Sequence, residues 1–216
     1  MSTLFISKKE EDLKSHLHLF KAKSITVIAH SFLQFVAVTF NIKSAYQALF
    51  FGSPRAVDFF LQQEEIPDNT FIGCIGEVTA QSLLEKGIEV DFIGKSAGNP
   101  SEVAQKFKEE VGNKRVLFPQ SLSSNRSVVR VFPSTQVEEI SIYKTVIAPQ
   151  TIPDSSIYVF TSPSNVDGFL KENSIPANAK VIAWGSTTAN HIISKGLSVN
   201  IILKEASIEE LISVLG

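Results

Sequence analysis

The chain has 216 residues and a formal net charge of −2, with 44% apolar and 19% charged residues. This mildly acidic balance argues against a nucleic-acid partner, because binding to a phosphate backbone needs a clustered basic face. Cys74 is the only cysteine, which excludes an internal disulfide and a zinc site built from cysteines. No apolar run approaches the roughly 20 residues of a membrane-spanning helix. The amino terminus lacks a signal-peptide pattern, so we expect a cytoplasmic protein without a membrane partner.

The first 40 residues contain two strand-like segments and one helical segment. Thr3–Ile6 is a short apolar run typical of a strand, and a helix is predicted from Glu10 to Phe20. A second strand-like segment, residues 34–40, has partly alternating apolar residues.

From Ala48 onward, short apolar runs alternate with amphipathic segments. Strands are predicted at residues 49–51, 71–75, 90–93 and 116–118, and helices at 53–61, 77–86, 99–111 and 125–131. Ser53-Pro54 is a typical helix start, and Gly87 a typical helix end. Such alternation predicts a parallel sheet with helices on both faces.

A further strand-like segment, residues 139–146, precedes a second series of the same kind. Strands are predicted at 158–160, 181–184 and 199–202, with helices beginning at Ser162-Pro163 and Gly185-Ser186. Ser207 and Glu210 have the spacing of a capping box before a last helix.

The two series are copies of one another. Residues 51–93 and 160–202 align without a gap at an offset of 109 and agree at 17 of 43 positions. Ser53 matches Ser162 and Gly76 matches Gly185, whereas Gly52 stands where the second copy has Thr161. A match of this size indicates a duplicated structural unit. Two similar domains offer a cleft between them, where small-molecule sites are common.

The second copy ends before a fourth strand, and the missing strand is found at the amino terminus. Leu4-Phe5 corresponds to Leu117-Phe118 at an offset of 113. We therefore predict a discontinuous domain of residues 1–34 and 147–216 and an inserted domain of residues 41–138. Residues 35–40 and 139–146 would form a paired two-stranded linker that acts as a hinge.

The chain resembles the uroporphyrinogen-III synthase family over nearly its whole length. The motifs that carry the resemblance, in their order and spacing, are Phe51-Gly52-Ser53-Pro54-Arg55-Ala56-Val57, Ile75-Gly76-Glu77-Val78-Thr79-Ala80, Gly87-Ile88-Glu89-Val90, Leu117-Phe118-Pro119, Ile142-Tyr143-Lys144-Thr145, Phe160-Thr161-Ser162-Pro163-Ser164 and Gly185-Ser186-Thr187-Thr188-Ala189. Two places differ from the family: Ser7-Lys8, where Thr-Arg is frequent, and Gln120-Ser121, where Arg and Gly are common.

The resemblance implies an α/β fold of two similar flavodoxin-like domains with parallel sheets, one discontinuous, joined by a two-stranded β linker. It implies a lyase without a cofactor that closes hydroxymethylbilane into uroporphyrinogen III. In this reaction water is lost and the terminal pyrrole ring is inverted, by way of a spirocyclic intermediate, within tetrapyrrole (haem) biosynthesis. The substrate would be a linear tetrapyrrole with eight carboxylates, and we expect the protein to be a monomer.

Binding of so many carboxylates by an acidic protein must be local. Helix N-termini that follow parallel strands provide unpaired N–H groups and a favourable dipole at the ligand-binding edge of a sheet. Hydroxyl groups at these starts can add hydrogen bonds or merely cap their own helices. The candidates are Ser53, Thr79, Ser162, Ser164, Thr187 and Thr188.

Other candidates lie on the loops and the second linker strand. Tyr143 can donate a proton to the departing hydroxyl group, since a phenol keeps its proton at neutral pH, or it can simply pack the hinge. Arg55 and Arg126 are either carboxylate clamps or solvated surface charges. The resemblance adds Gln120 and Ser121 in the loop after the fourth strand.

The four histidines show no spacing typical of metal ligands, so no metal is expected. Two other functions stay open at this point. One is a two-lobed binding protein that closes on a small anionic ligand without catalysis. The other is a family member that has kept the fold and lost the reaction, which the departure at Gln120-Ser121 allows.

Overall fold

The computed structural model describes residues 2–95 and 99–215. Its strands are β1 (Ser2–Ile6), β2 (Ile25–Ala29), β3 (Leu33–Ala37), β4 (Ala48–Phe51), β5 (Phe71–Cys74), β6 (Phe92–Ile93), β7 (Val116–Ser121), β8 (Val137–Ile147), β9 (Ile157–Phe160), β10 (Lys180–Ala183) and β11 (Ile201–Ile202). Its α-helices are α1 (Leu17–Ala22), α2 (Pro54–Leu61), α3 (Glu77–Leu84), α4 (Pro100–Val111), α5 (Pro163–Phe169), α6 (Ser186–Ser194) and α7 (Ile208–Val214). Glu10–His16 and Val129–Val131 are 3-10 helices.

The chain divides into two compact units, each with its own sheet. The first unit comprises Met1–Gln34 and Val146–Gly216, and the second comprises Phe35–Thr145. The first sheet has the strand order β11-β10-β9-β1-β2 and is parallel throughout. The second has the order β3-β8-β7-β4-β5-β6 and is parallel from β8 to β6. The predicted α/β class with parallel sheets is confirmed, and we propose that the two units are the predicted domains.

Helices cover both faces of the second sheet, because successive side chains of its strands are apolar and point to opposite faces. Leu49 and Phe51 of β4 pack with α2 and α3 on one face. Ala48 and Phe50 pack with Phe107 of α4 on the other. Cys74 belongs to the first of these cores, and burial raises the pKa of its thiol to about 11. Cys74 is therefore a core residue, as its apolar strand predicts.

The first unit repeats this arrangement. Phe5 and Phe160 pack with α5 and α6 on one face, while Leu4 and Val159 pack with α1 and α7 on the other. β1 pairs with β9, with Phe5 opposite Tyr158. The amino-terminal strand therefore completes the sheet of the second copy, as the match of Leu4-Phe5 with Leu117-Phe118 predicts.

The two segments that join the units are β3 and β8, which are hydrogen-bonded neighbours. The amide of Val38 donates to the carbonyl oxygen of Ile142 at 2.9 Å. β8 is longer than predicted and also pairs with β7. The two crossing strands are therefore paired with one another, and they are the two outermost strands on one side of the second sheet.

Two predicted helices differ in the structure. The helix expected at residues 125–131 is a polar loop that ends in one 3-10 turn, and Arg126 has a positive φ of 58° that an α-helix cannot contain. Serine and asparagine side chains there bond to nearby backbone amides, which competes with helix formation. The helix expected at 10–20 is a 3-10 helix followed by the short α1.

The repeat preserves stabilising contacts as well as elements. Lys86 pairs with Asp58 at 2.8 Å in the second unit, and Lys195 pairs with Asp167 at 2.8 Å in the first. These pairs join α2 to the residues just after α3, and α5 to the residue just after α6, at the same offset of 109. This lysine–aspartate contact is therefore part of the scaffold that the two copies have in common.

Candidate functional site

In each unit, two helices begin directly after strands, at the edge where the parallel strands of that unit's own sheet end. α2 and α3 follow β4 and β5, and α5 and α6 follow β9 and β10. The N-cap residues are Ser53, Gly76, Ser162 and Gly185, within one residue of the predicted starts. The first N–H groups of a helix lack acceptors within it, so these starts attract anions.

Ser53 and Ser162 cap their own helices. The Oγ of Ser53 accepts a hydrogen bond from the amide of Ala56 at 3.2 Å. The Oγ of Ser162 accepts from the amide and from the side-chain nitrogen of Asn165, at 3.3 and 3.1 Å. Capping therefore accounts for these two hydroxyl groups in the free protein, and their contact with a ligand stays a prediction.

The two threonines at equivalent places in the copies are buried. Thr79 is 2% exposed and Thr188 is 4% exposed, on the inner sides of α3 and α6. Thr187 beside it and Ser164 on α5 are exposed. The hydroxyl of Thr187 is therefore exposed at the start of α6, as is that of Ser186, whereas Thr188 belongs to the packing of that helix.

The second unit has a cavity of about 310 Å³ at its strand-end edge, where β4, β5 and β7 finish. Its lining residues are Phe50, Gly52, Ile75, Pro100, Phe118, Pro119, Gln120, Ser124, Asn125, Arg126, Ser127, Val128 and Val129. Two of the predicted contacts, Gln120 and Arg126, thus meet at one cavity. Gly52 contributes no side chain, and a Cβ atom placed there would meet nothing within 4 Å.

The loop that lines one side of this cavity is held by its own polar side chains. The amide of Ser123 donates to Ser121 Oγ, and the amide of Arg126 donates to Ser124 Oγ. Asn125 Oδ1 accepts from the amide of Ser127. Ser121 therefore shapes the loop, which holds Arg126 in a left-handed conformation that is rare outside glycine and asparagine.

Arg126 and Gln120 share one partner. The Nε of Arg126 lies 3.1 Å from Oε2 of Glu139, and Nε2 of Gln120 donates to the same oxygen at 2.6 Å. Glu139 is on β8, beside the β7 strand that carries Gln120. The bulge in the β7–β8 register between Gln120 and Ser121 starts the loop at this point.

Arg55 lies at the first turn of α2 and is exposed. Its guanidinium carbon lies 3.4 Å from the ring centre of Phe35, a close cation–π arrangement. Both residues line a shallow surface cavity of about 460 Å³ together with Phe59 and Lys86. This stacking orients Arg55 but leaves its charge in contact with solvent.

Tyr143 is in β8 and is 7% exposed. Its ring stacks on Phe59 with centroids 5.1 Å apart and meets the edge of Phe35 at 6.2 Å. Within residues 2–95 and 99–215, its hydroxyl has no hydrogen-bond partner. The ring thus has a packing role, and its role as a proton donor stays a prediction.

Comparison of the copies separates the features that recur from those found in one copy alone. The helix caps, the buried threonines and the lysine–aspartate pairs recur, whereas Arg55 corresponds to Ser164 and Gly52 to Thr161. The two copies therefore differ in side chain at positions 52 and 55, next to the start of α2.

Two contacts at the strand ends were not predicted. One is Glu139, whose link to Arg126 depends on the register of β7 with β8. The other places Lys8 Nζ 5.0 Å from the ring centre of Trp184, beyond the ends of β1 and β10. The signal that could have pointed to Lys8 is its basic side chain just after the first strand, at the place where Thr-Arg is frequent in the family.

Among the described residues, no group of three or more His, Cys, Asp or Glu side chains is placed to hold a metal ion. In the same residues, no helix has both the length and the apolar character needed to cross a membrane.

The family model described as uroporphyrinogen-III synthase HemD matches residues 15–213. The fold is similar to the crystal structure of uroporphyrinogen-III synthetase from Helicobacter pylori 26695, at 18% identity and a TM-score of 0.69, covering 100% of this chain and 98% of that one. A mutant uroporphyrinogen III synthase from the extremely thermophilic bacterium Thermus thermophilus aligns at 12% identity and a TM-score of 0.49, covering 100% and 96%. No curated protein matches the sequence. Because the family match spans most of the chain, the protein belongs to the uroporphyrinogen-III synthase family, whose members are enzymes of tetrapyrrole synthesis.

Proposed function

We propose that this protein is a lyase that closes hydroxymethylbilane into uroporphyrinogen III, with loss of water and inversion of the terminal pyrrole ring. The family match over residues 15–213 carries this proposal. The cavity at the strand ends of the second unit supports it, because open parallel sheets bind ligands at that edge.

The substrate's eight carboxylates are bound locally. Arg126 and Gln120 at the cavity and Arg55 at the start of α2 are the side-chain donors that we assign to them. The helix starts add main-chain donors, which suit carboxylates because they are unpaired and carry the positive end of the dipole. The remaining proposed contacts are Ser53, Thr79, Ser121, Ser162, Ser164, Thr187 and Thr188.

The exposure of each proposed hydroxyl group determines whether it can contact the ligand directly. Thr187 and Ser164 are exposed and can reach a ligand with their hydroxyl groups. Thr79 and Thr188 are buried, so they contribute by fixing the helix starts that carry the donor amides. Removal of any one hydroxyl then weakens binding only partially.

We assign the proton-donor role to Tyr143. Its hydroxyl would protonate the departing hydroxyl group of the bilane, and the C–O bond would break with its electron pair leaving as water. The electron-poor methylene carbon would then be attacked by the substituted carbon of the terminal ring, which gives the spirocyclic intermediate of the family route. The bond between that ring carbon and its original methylene bridge would then break, and the unsubstituted carbon of the terminal ring would bond to the freed methylene carbon, which inverts the ring. The proton lost from this newly bonded ring carbon would return to the Tyr143 oxygen, so that the proton and the water balance.

We also propose that the protein works as a monomer in the cytoplasm and without a cofactor. Size-exclusion chromatography with light scattering tests the first point. Activity that is unchanged after treatment with a chelator would support the last.

The decisive experiment supplies hydroxymethylbilane and separates uroporphyrinogen isomers I and III. Isomer I forms without an enzyme, so isomer III is the diagnostic product. We expect isomer III in proportion to the protein added. Isomer I alone, at the spontaneous rate, would contradict the proposal and would favour a family member that binds without catalysis.

A further inference from the structure

The carboxylate of Glu139 is held in the way that a bound carboxylate would be. Two donors from separate segments, Nε2 of Gln120 on β7 and Nε of Arg126 in the following loop, meet at its Oε2 atom. Charge-assisted contacts of this kind are the usual way in which proteins bind carboxylates.

Both donors also line the 310 Å³ cavity at the strand ends. A carboxylate that enters the cavity would therefore meet two donors that are already occupied by Glu139. The side chain of Arg126 is 62% exposed and can turn from one acceptor to another. Gln120 lies near the end of β7, and its place in the strand keeps its side-chain donor next to the cavity.

Holding the loop in place is the alternative role for Glu139. The loop is already shaped by the contacts of Ser121, Ser124 and Asn125 with its own amides. Val128 and Val129 anchor its far end in the core. An exposed ion pair adds little to such a loop, and for the same reason it is readily exchanged for another anion.

We infer that Glu139 is an internal stand-in for a substrate carboxylate: it occupies the subsite formed by Gln120 and Arg126 until the ligand displaces it, and so lowers the affinity of that subsite. This inference rests on the proposed function for the identity of the ligand. Glu139 would be a positioning residue that also limits which anions bind, because an anion must compete with it.

The experiment measures binding of uroporphyrin III, a stable macrocycle with eight carboxylates, by fluorescence titration. Glu139→Gln keeps the side-chain shape and removes the competing charge, so we expect its affinity to rise roughly threefold, as for loss of an exposed ion pair. Glu109→Gln, on the exposed side of α4, removes the same charge elsewhere and should leave the affinity unchanged.

A double-mutant cycle separates exchange of partners from simple charge repulsion. If Glu139 acts by occupying Arg126, the gain should disappear when Glu139→Gln is introduced into Arg126→Gln. The inference would be overturned if Glu139→Gln raised the affinity equally in the wild type and in Arg126→Gln. It would also be overturned if Glu139→Gln alone did not raise the affinity, or if neither the wild type nor Glu139→Gln bound uroporphyrin III. The thermal midpoints should agree, because the loop does not depend on the pair.

Turnover provides a second readout. Glu139→Gln should lower KM for hydroxymethylbilane and change kcat little. The titration does not need catalysis, so the two proposals fail separately. A protein that forms no isomer III but shows the expected coupling would contradict only the proposed reaction, and one that forms isomer III without coupling would contradict only the role of Glu139.

Discussion

Gly52 and Thr161 occupy the same place in the two copies, and only Thr161 fills it. The Oγ1 of Thr161 donates to the carbonyl oxygen of Ser7 at 2.7 Å, and its amide donates to Ser7 Oγ at 2.8 Å. At Gly52 the corresponding space is open and belongs to the cavity with Gln120 and Arg126. One residue type thus distinguishes the strand-end edges of the two duplicated units.

Gly52→Thr should therefore weaken the enzyme without disturbing its fold. A Cβ atom there meets no neighbour within 4 Å, and Gly52 does not have a positive φ, so the substitution introduces no strain. The threonine side chain would occupy cavity space that we assign to the substrate. We therefore expect kcat/KM to fall on the order of tenfold, which corresponds to about 1.4 kcal/mol of activation free energy. Gly52→Ala should have a smaller effect in the same direction. Equal activity of all three proteins, with equal thermal midpoints, would show that the cavity is not used.

Tyr143→Phe should lower the rate of isomer III formation and leave stability unchanged. The ring keeps its stacking on Phe59, and removal of the hydroxyl breaks no hydrogen bond within the described residues. Loss of a general acid typically reduces the rate on the order of 10²–10⁴-fold. Single-turnover rates and thermal unfolding of the variant would be measured together. A rate equal to that of the wild type would remove the proton-donor role.

The contact between Asp91 and β5 should tolerate asparagine but not alanine. Asp91 Oδ2 accepts a hydrogen bond from the amide of Ile72 at 2.7 Å, and Asn200 makes the same contact with Val181 at 2.7 Å in the other copy. Asp91→Asn keeps an acceptor of the kind that already works at Asn200. Asp91→Ala leaves the amide of buried Ile72 unpaired, which costs about 1–3 kcal/mol. Chemical denaturation would check this order, and equal losses in both variants would contradict it.

Asp167 should stabilise the protein in a pH-dependent way. The hydrogen bond from Lys195, with that of His191, lowers the pKa of the Asp167 carboxyl group below its ordinary value. A lowered pKa in the folded state means that the stabilisation is complete above the unfolded value of about 3.9 and disappears as the pH falls below it.

The matching experiment compares Asp167→Asn with the exposed control Asp68→Asn in urea at pH 7 and at pH 3. We expect Asp167→Asn to lose a few tenths to about 1 kcal/mol at pH 7, because the group is about one-third exposed, and less at pH 3. A loss that stays the same at both pH values would show that packing, rather than the charge, is responsible.

The local pattern of this sequence was enough to predict most elements. Elements of the repeat, such as β5 and β10 or α3 and α6, lie 109 residues apart as predicted. The capping serines and the glycines that end helices also act as predicted, since Gly87 and Gly196 have φ of 76° and 79°. These features depend on a few adjacent residues, which is why they can be recognised without the fold.

Tertiary packing decided what the pattern left open. The prediction of a helix at residues 125–131 was wrong because serine and asparagine side chains bond to the loop backbone. A single serine or asparagine in the sequence does not indicate whether it will do so. Thr188 lies inward and Thr187 outward because the core fixes how α6 is rotated about its axis, and a threonine suits either face. Glu139 reaches Gln120 only through the register of β8 beside β7. The rotation of α6 and the register of β8 beside β7 depend on contacts between residues that are far apart in the chain. Only the tertiary structure could therefore determine them.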